Sequence, residues 1–440
     1  MIINRPRGTK DYIYELDPTF DIICQICHDI AKNHGIYQIK TPIFEYKDLF
    51  VRTIGDDSDI VNKEFYEFND KNGRQMVLRP ELTAPICRAI VENDLLKKMQ
   101  KPIKFFYIEP MFRYERPQSG RQRMFHQFGI EYIGANDYYY DIDLILIALN
   151  ILQTFQIKDF VIKINNICGF ETRKKWIISL KKYFQKYYDQ LTPDSQKRLA
   201  KNPIRILDDK IDGKKDFVKD APQICDFATA EEKKYFKKRT DLLDELNIKY
   251  KINPTLVRGL DYYTDFIFEI ESTSQLLVGQ PTLAGGGRYN QMITELGGQE
   301  TNCVGFALGI ERLMVALKNN KILDKLITKY KKVKVYLAYI DHNKTRDDEQ
   351  KIKSYCFKLI NELTNHGISC ICNFNINTKN IKKHFQYAEN QCAQYIIIIG
   401  KKEIENDYLT IKDQTTMKQE QIKKDDIIKY FKNKKIWIEI

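Results

Sequence analysis

The order of apolar and polar positions divides the chain into a strand-rich first part and a last quarter in which strands and helices alternate. Apolar residues recur every three to four positions over 17–35 and 82–98, which predicts two amphipathic helices. Alternation with a period of two predicts strands at 64–68, 75–79, 103–109, 111–116 and 124–133. Strands that follow one another through short turns predict an antiparallel sheet.

Residues 171–250 have a different character, because glycine is nearly absent and segments rich in Lys and Asp show helical spacing. This pattern predicts a helical insertion. Strand-like sequence resumes over 254–271, and a strand over 303–310 leads into a helix from Glu311. The glycine run 285–287 has no clear helix after it, which favours close approach of backbones over a phosphate-binding loop.

A lysine-rich segment at 319–332 is predicted to be a linker. Beyond it the pattern predicts strands at 333–340, 368–373, 394–399 and 407–412, and helices at 346–365, 377–390 and 421–432. This alternation is typical of a small α/β domain. The predicted fold is therefore an α+β domain over 1–325, with an antiparallel sheet flanked by helices and the insertion at about 171–250, followed by an α/β domain over 326–440.

Composition and charge add a candidate partner. The chain has 440 residues, of which 43% are hydrophobic and 30% charged, as expected for a folded protein of several domains. Its net charge is +12, and residues 331–440 contribute +7 of this with 21 basic and 14 acidic residues. Such an excess is typical of a domain that contacts a polyanion. A/T-rich codon usage, which favours lysine, explains the same excess, and composition does not separate the two explanations.

Cysteine usage and apolar runs indicate the compartment. No apolar run approaches the roughly 18 residues of a membrane helix, and the N-terminus lacks a signal-peptide pattern. The ten cysteines are scattered without a pair of C-x-x-C motifs, so we expect no structural zinc or other metal site. They indicate reduced thiols and hence a cytoplasmic location. The A/T-biased composition leaves an organellar location open.

The segment 106–134 carries the strongest chemical signal. Because side chains alternate along a strand, Arg113 and Glu115 share a face of one strand, and Phe125, Gln127, Gly129 and Glu131 share a face of the next. Two antiparallel strands thus offer these groups on one face. Gly129 is predicted to open space between its neighbours. A buried core does not tolerate these polar groups without partners, so the set predicts a site for an anionic ligand. The alternative is an amphipathic hairpin with one solvated face.

These residues resemble motif 2 of the class II aminoacyl-tRNA synthetases, in the form of the histidyl-tRNA synthetase family. The resemblance extends over the whole chain. Further segments that carry it are 5–11, 78–85, 256–263, 283–289 and 304–312, with a weaker likeness to an anticodon-binding domain at 412–414 and 419–421. Of these, 256–263 and 283–289 are specific to the histidyl branch. The resemblance identifies the first domain as a class II catalytic domain and the second as an α/β anticodon-binding domain.

The resemblance implies a binding site for L-histidine. It assigns Glu81, Thr83 and Gln127 to the α-ammonium group, and Glu131 and Tyr263 to the two edges of the imidazole ring. The pocket walls would be Tyr262 and Tyr289. The histidine-binding set is completed by Leu82, Arg113 and Arg258.

The resemblance also implies a site for ATP, which would enter with Mg²⁺ bound to its phosphates. Phe125 would stack under the adenine with Arg312 above it, and Glu115 would lie at the adenine side. Arg121 would reach the outer phosphates. Arg113 and Arg258 would contact the α-phosphate from opposite sides and are the expected catalytic residues, because negative charge grows there during activation.

The implied activity is that of a histidine–tRNA ligase, which forms histidyl-adenylate and pyrophosphate and then transfers histidine to tRNA(His). Lysines 379, 382 and 383 and those in 423–435 are candidates for phosphate contacts. Residues around Pro42 resemble motif 1, which implies a homodimer. The alternatives are a regulatory subunit of ATP phosphoribosyltransferase, an RNA-binding protein on an inactive synthetase fold, and another class II synthetase. The C-terminal domain and the 256–263 segment argue against the first, the intact site residues against the second, and the 256–263 segment against the third.

Overall fold

Strand pairing builds one large sheet in the first part of the chain and a smaller one in the last quarter. A computed structural model describes residues 3–14, 16–55, 58, 60–207, 209, 211–318, 320–330, 334–340, 346–376 and 381–434. The chain divides into two compact units, residues 1–323 and 324–440.

The strands of the first unit form an eight-stranded sheet and a three-stranded sheet. Their bounds are Tyr37–Gln38 (β1), Phe44–Tyr46 (β2), Glu67–Asn69 (β3), Gln75–Leu78 (β4), Ile103–Phe112 (β5), Met124–Ile133 (β6), Phe160–Asn166 (β7), Lys251–Ile252 (β8), Thr264–Ser272 (β9), Thr282–Arg288 (β10) and Cys303–Gly309 (β11). The large sheet has the order β1-β5-β6-β11-β10-β9-β7-β8, and the small one β2-β4-β3. All neighbours from β5 to β7 are antiparallel, which confirms the predicted sheet.

Some helices of the first unit pack against the large sheet, others pack against the three-stranded sheet or against one another, and a further group covers the range predicted as an insertion. Their bounds are Thr19–Asn33 (α1), Lys47–Ile54 (α2), Thr83–Glu92 (α3), Leu95–Lys98 (α4), Tyr139–Thr154 (α5), Phe170–Gln185 (α6), Pro193–Lys201 (α7), Ile204–Leu207 (α8), Asp216–Lys219 (α9), Ala230–Glu245 (α10), Met292–Glu295 (α11) and Ile310–Ala316 (α12). Helices α6 to α10 form the insertion. Apolar side chains at helical spacing, such as Ile23, Cys27 and Ile30 of α1, are buried as the sequence pattern predicts.

The glycine run 285–287 lies within β10, between β9 and β11. A Cβ atom at Gly286 would overlap the carbonyl oxygen of Gly305, and one at Gly287 would lie 2.5 Å from the carbonyl oxygen of Phe266. Any side chain here would have to displace the neighbouring backbone. The predicted close backbone approach is therefore confirmed.

The second unit contains a five-stranded sheet of order β13-β12-β14-β15-β16. Its strands are Val335–Tyr339 (β12), Cys370–Ile371 (β13), Tyr395–Ile399 (β14), Tyr408–Asp413 (β15) and Gln419–Lys423 (β16). Its helices are Arg346–Asn365 (α14), Ile381–Asn390 (α15), Lys401–Glu405 (α16) and Ile427–Asn433 (α17), and Ile322–Tyr330 (α13) spans the division between the units. Pairing is parallel among β13, β12 and β14 and antiparallel beyond, so the predicted α/β fold is confirmed.

Several local predictions are wrong. Residues 82–98, predicted as one helix, form the two helices α3 and α4. The predicted strands 103–109 and 111–116 are one strand that ends at Phe112, and the predicted strand 254–271 begins only at Thr264. In the predicted linker, residues 322–330 form α13, because apolar side chains recur there at helical spacing among the lysines. The predicted helix 421–432 starts only at Ile427, since residues 419–423 pair with β15 as an edge strand.

Candidate active site

One cavity of the first unit opens over β6, β10 and β11. Thirteen of the fourteen predicted site residues line it: Glu81, Thr83, Arg113, Glu115, Arg121, Phe125, Gln127, Glu131, Arg258, Tyr262, Tyr263, Tyr289 and Arg312. Leu82 does not, because its side chain is fully buried in the hydrophobic core beside α3. The structure therefore brings together residues that lie more than 200 positions apart in the sequence.

Two buried carboxylates, Glu81 and Glu131, lie at the closed end of the cavity. Glu81 accepts the amide protons of Thr83 and Ala84 at 2.8 and 2.9 Å, so it caps the N-terminus of α3. The hydroxyl of Thr83 donates to Glu131 Oε1 at 2.8 Å, which links the two acids. Burial raises the pKa of Glu81 above its usual range despite these bonds.

Glu131 receives a second hydrogen bond from Tyr289, whose hydroxyl donates to Oε2 at 2.5 Å. Burial raises the pKa of Glu131 to about 8, although the bonds from Tyr289 and Thr83 act to lower it. A carboxyl group with this pKa exists in both protonation states near neutral pH. The resemblance implied a wall role for Tyr289 and an ammonium contact for Thr83, whereas the structure brings both hydroxyls onto Glu131.

One glycine explains the room around Glu131. Gly305 lies opposite Glu131 on β11, and a Cβ atom there would overlap the Glu131 carboxylate. Gly129 opens space on β6, but the ring of Tyr107 from β5 fills that space. Tyr107 lines the cavity and is almost fully buried, so it forms part of the floor instead.

The segment 256–263 supplies an arginine and two tyrosines. Tyr262 and Tyr263 are both buried, and the hydroxyl of Tyr262 lies 3.5 Å from Glu81 Oε2. Arg258 donates from Nη1 to Glu269 Oε1 on β9 at 2.8 Å. Burial lowers the pKa of Arg258, but the Glu269 carboxylate, together with Tyr263 and Tyr262, outweighs this and raises it. The guanidinium therefore stays charged.

Gly285 makes room for Arg258, since a Cβ atom at this position of β10 would overlap the guanidinium. Glu269 was not among the predicted site residues. In the sequence it is one of two glutamates, with Glu271, in a strand pattern, which does not reveal that it faces Arg258. Only the pairing of β9 with β10 puts the carboxylate, the glycine and the arginine together.

Three further arginines line the cavity. Arg113 donates from Nε to the carbonyl oxygen of Pro80 at 3.0 Å, and its Cζ lies 5.3 Å from the ring centroid of Phe125. Burial lowers the pKa of Arg113 from its usual value. Arg121 pairs with Glu115 and lies 3.7 Å from Glu64. Glu115 and Arg121, which are predicted to contact the adenine side and the outer phosphates, are therefore ion-paired with each other in this structure.

Arg312 on α12 is held by neutral acceptors. Its three nitrogens donate to the carbonyl oxygens of Gly120 and Thr282 at 3.1 and 2.8 Å and to the amide oxygen of Gln280 at 3.0 Å. Burial, with the nearby charges of Arg113 and Arg121, lowers its pKa to about 10. This arginine can therefore present the flat face of a fixed guanidinium to the cavity.

Glu311, next to Arg312, is a cavity residue that the sequence did not reveal. Its carboxylate accepts the hydroxyl of Tyr12 at 2.8 Å and lies 2.9 Å from Nδ1 of His126. These contacts tie the N-terminal segment to β6 and α12. Within the described ranges, no group of three or more His, Cys, Asp or Glu side chains is arranged to hold a metal ion.

Sequence comparison decides the family. A family model described as histidyl-tRNA synthetase matches residues 21–313, and one described as an anticodon-binding domain matches residues 334–434. The chain belongs to the histidyl-tRNA synthetase family. The histidine–tRNA ligase of Malacoplasma penetrans is 44% identical over 97% of both chains. The chloroplastic histidine–tRNA ligase of Porphyra purpurea is 40% identical over 97% of this chain and 94% of its own length.

A solved structure of the same family agrees in fold. The crystal structure of apo histidyl-tRNA synthetase from S. aureus is 33% identical, covers 98% of this chain and 100% of its own, and superposes with a TM-score of 0.78. The class II fold and its C-terminal α/β domain are thereby confirmed. Among the helices of the described residues, none is both long enough and apolar enough to cross a bilayer.

Proposed function

We propose that this member of the histidyl-tRNA synthetase family is a histidine–tRNA ligase. The proposal is supported above all by one cavity whose lining includes the buried carboxylates of Glu81 and Glu131 and four arginines. The carboxylates suit a small polar ring with a cationic amine, and the arginines suit a triphosphate. Four of the fourteen proposed site residues are therefore arginines that line this one cavity.

In the proposed activation step, the histidine carboxylate attacks the α-phosphorus of ATP and pyrophosphate leaves. Charge grows on the non-bridging oxygens of the α-phosphate, and Arg113 and Arg258 would stabilise it as fixed cations. Arg121 would turn from Glu115 to the outer phosphates. Phe125 and Arg312 would enclose the adenine ring, and Glu115 would lie at its edge. Mg²⁺ would enter as the MgATP complex.

For amino-acid recognition, Glu81, Thr83 and Gln127 would hold the α-ammonium group. Glu131 and Tyr263 would bind the two imidazole nitrogens, with Tyr262 and Tyr289 around the ring. A site that hydrogen-bonds both ring nitrogens rejects apolar analogues by ~10⁴, because its buried polar groups would be left without partners. Glu131 supports this role, since it is buried and its pKa lies near neutrality.

In the second step, the terminal ribose hydroxyl of tRNA(His) would attack the acyl carbon of histidyl-adenylate and release AMP. We propose a catalytic domain over 1–325 with its insertion at about 171–250, and an anticodon-binding domain over 326–440. The match at 334–434 to an anticodon-binding domain supports this division of labour. It also favours the ligase over a regulatory subunit of ATP phosphoribosyltransferase, which is expected to lack this domain.

We further propose a homodimer and a reducing compartment such as the cytoplasm. Ile43, Phe44, Tyr46 and Phe68 are about half exposed on and beside the three-stranded sheet, next to the segment that resembles motif 1. Such an apolar surface favours a subunit contact. None of the ten cysteines, all of which lie in the described residues, forms a disulfide bond, which suits a reducing compartment. Light scattering that finds a stable, active monomer would contradict the dimer.

The experiment that tests the function is ATP–pyrophosphate exchange with each of the twenty amino acids in turn. Only histidine should stimulate exchange. The matched second assay follows transfer of labelled histidine to tRNA(His) and to a tRNA of another identity. Exchange with a different amino acid, or no exchange with histidine, would reject the proposal.

A further inference from the structure

The segment 256–263 carries Arg258 and both tyrosines into the cavity without regular secondary structure of its own. It lies between β8 and β9, so its peptide groups depend on partners from elsewhere in the fold. At its start, Asn165 of β7 donates to the carbonyl oxygen of Leu256 at 2.9 Å. Further along, the amide of Asp261 lies 3.4 Å from the carbonyl oxygen of Ile54.

The helical insertion supplies the shorter contacts. Arg205 on α8 donates from Nη1 to the carbonyl oxygen of Arg258 and from Nη2 to Oδ1 of Asp261, each at 2.5 Å. Arg173 on α6 donates from Nη2 to the carbonyl oxygen of Tyr263, also at 2.5 Å. Two arginines of the insertion therefore hold three residues of this segment.

The contacts of Arg205 are partly shielded from water and require the shape of a guanidinium group. Its side chain is 13% exposed and that of Asp261 32%, so water screens the pair only in part. A planar guanidinium spans a carbonyl oxygen and a carboxylate at once, which the point charge of a lysine does not reproduce. Asn202 adds an amide 3.4 Å from both carboxylate oxygens of Asp261. The backbone at Arg258 is thus positioned by a side chain of the insertion.

Arg258 is held at both of its ends. Its carbonyl oxygen is bound by Arg205, whereas its Nη1 contacts Glu269 on the large sheet at 2.8 Å. Its Nε is buried and has no hydrogen-bond partner within the part of the chain that the structure describes. A shift of the insertion would therefore move the guanidinium relative to the cavity. A misplacement of about 1 Å can cost ~10²-fold in rate.

We propose that Arg205 is a positioning residue for amino-acid activation, which fixes the Arg258 segment from the helical insertion. It makes the geometry of the cavity depend on the placement of the insertion. The proposal rests on the proposed function, because activation of histidine is the step that reports it.

The test uses the full chain and histidine-dependent ATP–pyrophosphate exchange. Arg205→Met removes both N–H contacts but keeps a long side chain, and it should lower kcat by ~10- to 10²-fold with a smaller change in KM for histidine. Arg205→Lys keeps the charge but not the fork, so it should recover only part of the loss. The matched control is Arg198→Met, since Arg198 pairs with Asp209 inside the insertion at 2.7 Å. It should retain the kcat of the unsubstituted chain.

A double-mutant cycle separates positioning from general destabilisation. If Arg205 acts through Arg258, Arg205→Met should cost no more than about twofold further in an Arg258→Ala background. Equal losses in both backgrounds, or an Arg205→Met variant as active as the control, would overturn the proposal. Should Arg205→Met fail to fold, Arg205→Lys decides in the same cycle. An unsubstituted chain without histidine-dependent exchange would instead reject the proposed function.

Discussion

The two units use positive charge in different ways. In the first unit the informative cations are arginines that line one cavity, and acceptors on neighbouring elements hold them, as Glu269 holds Arg258 and three oxygens hold Arg312. In the second unit the excess consists of lysines, of which Lys382, Lys423 and Lys429 are exposed. Lys379 and Lys435, also candidates for phosphate contacts, lie outside the described residues.

Because its cations are placed differently, each unit would recognise an anion in a different way. A hydrogen-bonded cation in a cavity acts at a defined point, and its effect is large because little water screens it. An exposed lysine acts mainly by releasing counterions from a polyanion, so each contributes little and its effect falls with salt. Substitutions in the first unit should therefore be severe and insensitive to salt, and those in the second mild and salt-dependent.

The largest effect is expected from Arg258→Ala. Loss of a fixed cation beside the α-phosphate should reduce histidine-dependent ATP–pyrophosphate exchange by ~10²–10³ while the fold survives. Circular dichroism and thermal unfolding are the controls for folding. Unchanged exchange would remove Arg258 from the mechanism and weaken the contrast between the units.

Gly305→Ala tests the closed end of the same cavity. The added methyl group would overlap the Glu131 carboxylate and force it to move, so KM for histidine should rise by about 10- to 10²-fold. Gly169→Ala is the matched control, because a Cβ atom there meets only Glu232 Oε1 at 3.4 Å. Equal KM values in the two variants would argue against a role of Glu131 in histidine binding.

Glu131 also predicts a pH dependence of stability. Its pKa is about 8 in the fold against 4.5 for an ordinary glutamate, so the folded state binds the extra proton between these values. The free energy of unfolding should therefore fall as pH rises from about 4.5 to 8, by up to about 1.4 kcal/mol per pH unit from this group, and level off above. Glu81, whose pKa is also raised, adds a slope of the same sign.

Glu131→Gln should flatten that slope in denaturant titrations between about pH 5.5 and 8. Because Gln keeps the size of the side chain but does not titrate, the comparison isolates the carboxyl group. Identical slopes for the two chains would mean that the Glu131 pKa is not raised.

The smallest effect is expected in the second unit. Lys423→Gln and Lys429→Gln should each lower the slope of log K against log salt for tRNA binding by about 0.7–0.9 if each lysine meets one phosphate. Lys32→Gln on α1, an exposed lysine of the first unit, is the control. Slopes unchanged in both variants would favour codon usage as the source of the lysine excess.

Much of the fold follows from local pattern. The antiparallel strands, the insertion and the α/β alternation all have periodic apolar positions, and each was predicted. The errors lie where local signals compete: residues 322–330 are rich in lysine yet helical, and residues 421–423, predicted as the start of a helix, pair as part of an edge strand. Tertiary pairing overrides weak local preference in such segments.

Motifs specify residue types, so the residue types of the candidate site could be predicted from the sequence. Strand alternation puts Phe125, Gln127 and Glu131 on one face, and all three line the cavity. Glu269 and Glu311 were missed because no motif shows what faces them. The sequence does not show that Tyr107 fills the space beside Gly129, because that ring comes from a neighbouring strand.

Local periodicity and motifs were enough to predict most of the elements, their order and the chemical groups of the site. The hydrogen-bond partners of these groups became visible only in the folded chain. Thr83 and Tyr289 bond to Glu131, Glu269 bonds to Arg258, and Arg205 bonds to the segment that carries Arg258. The physical reason is that these contacts depend on strand register and on the packing of the insertion. A hydrogen bond requires atoms within about 3 Å, and a shift of one residue in register turns every side chain of a strand to the other face.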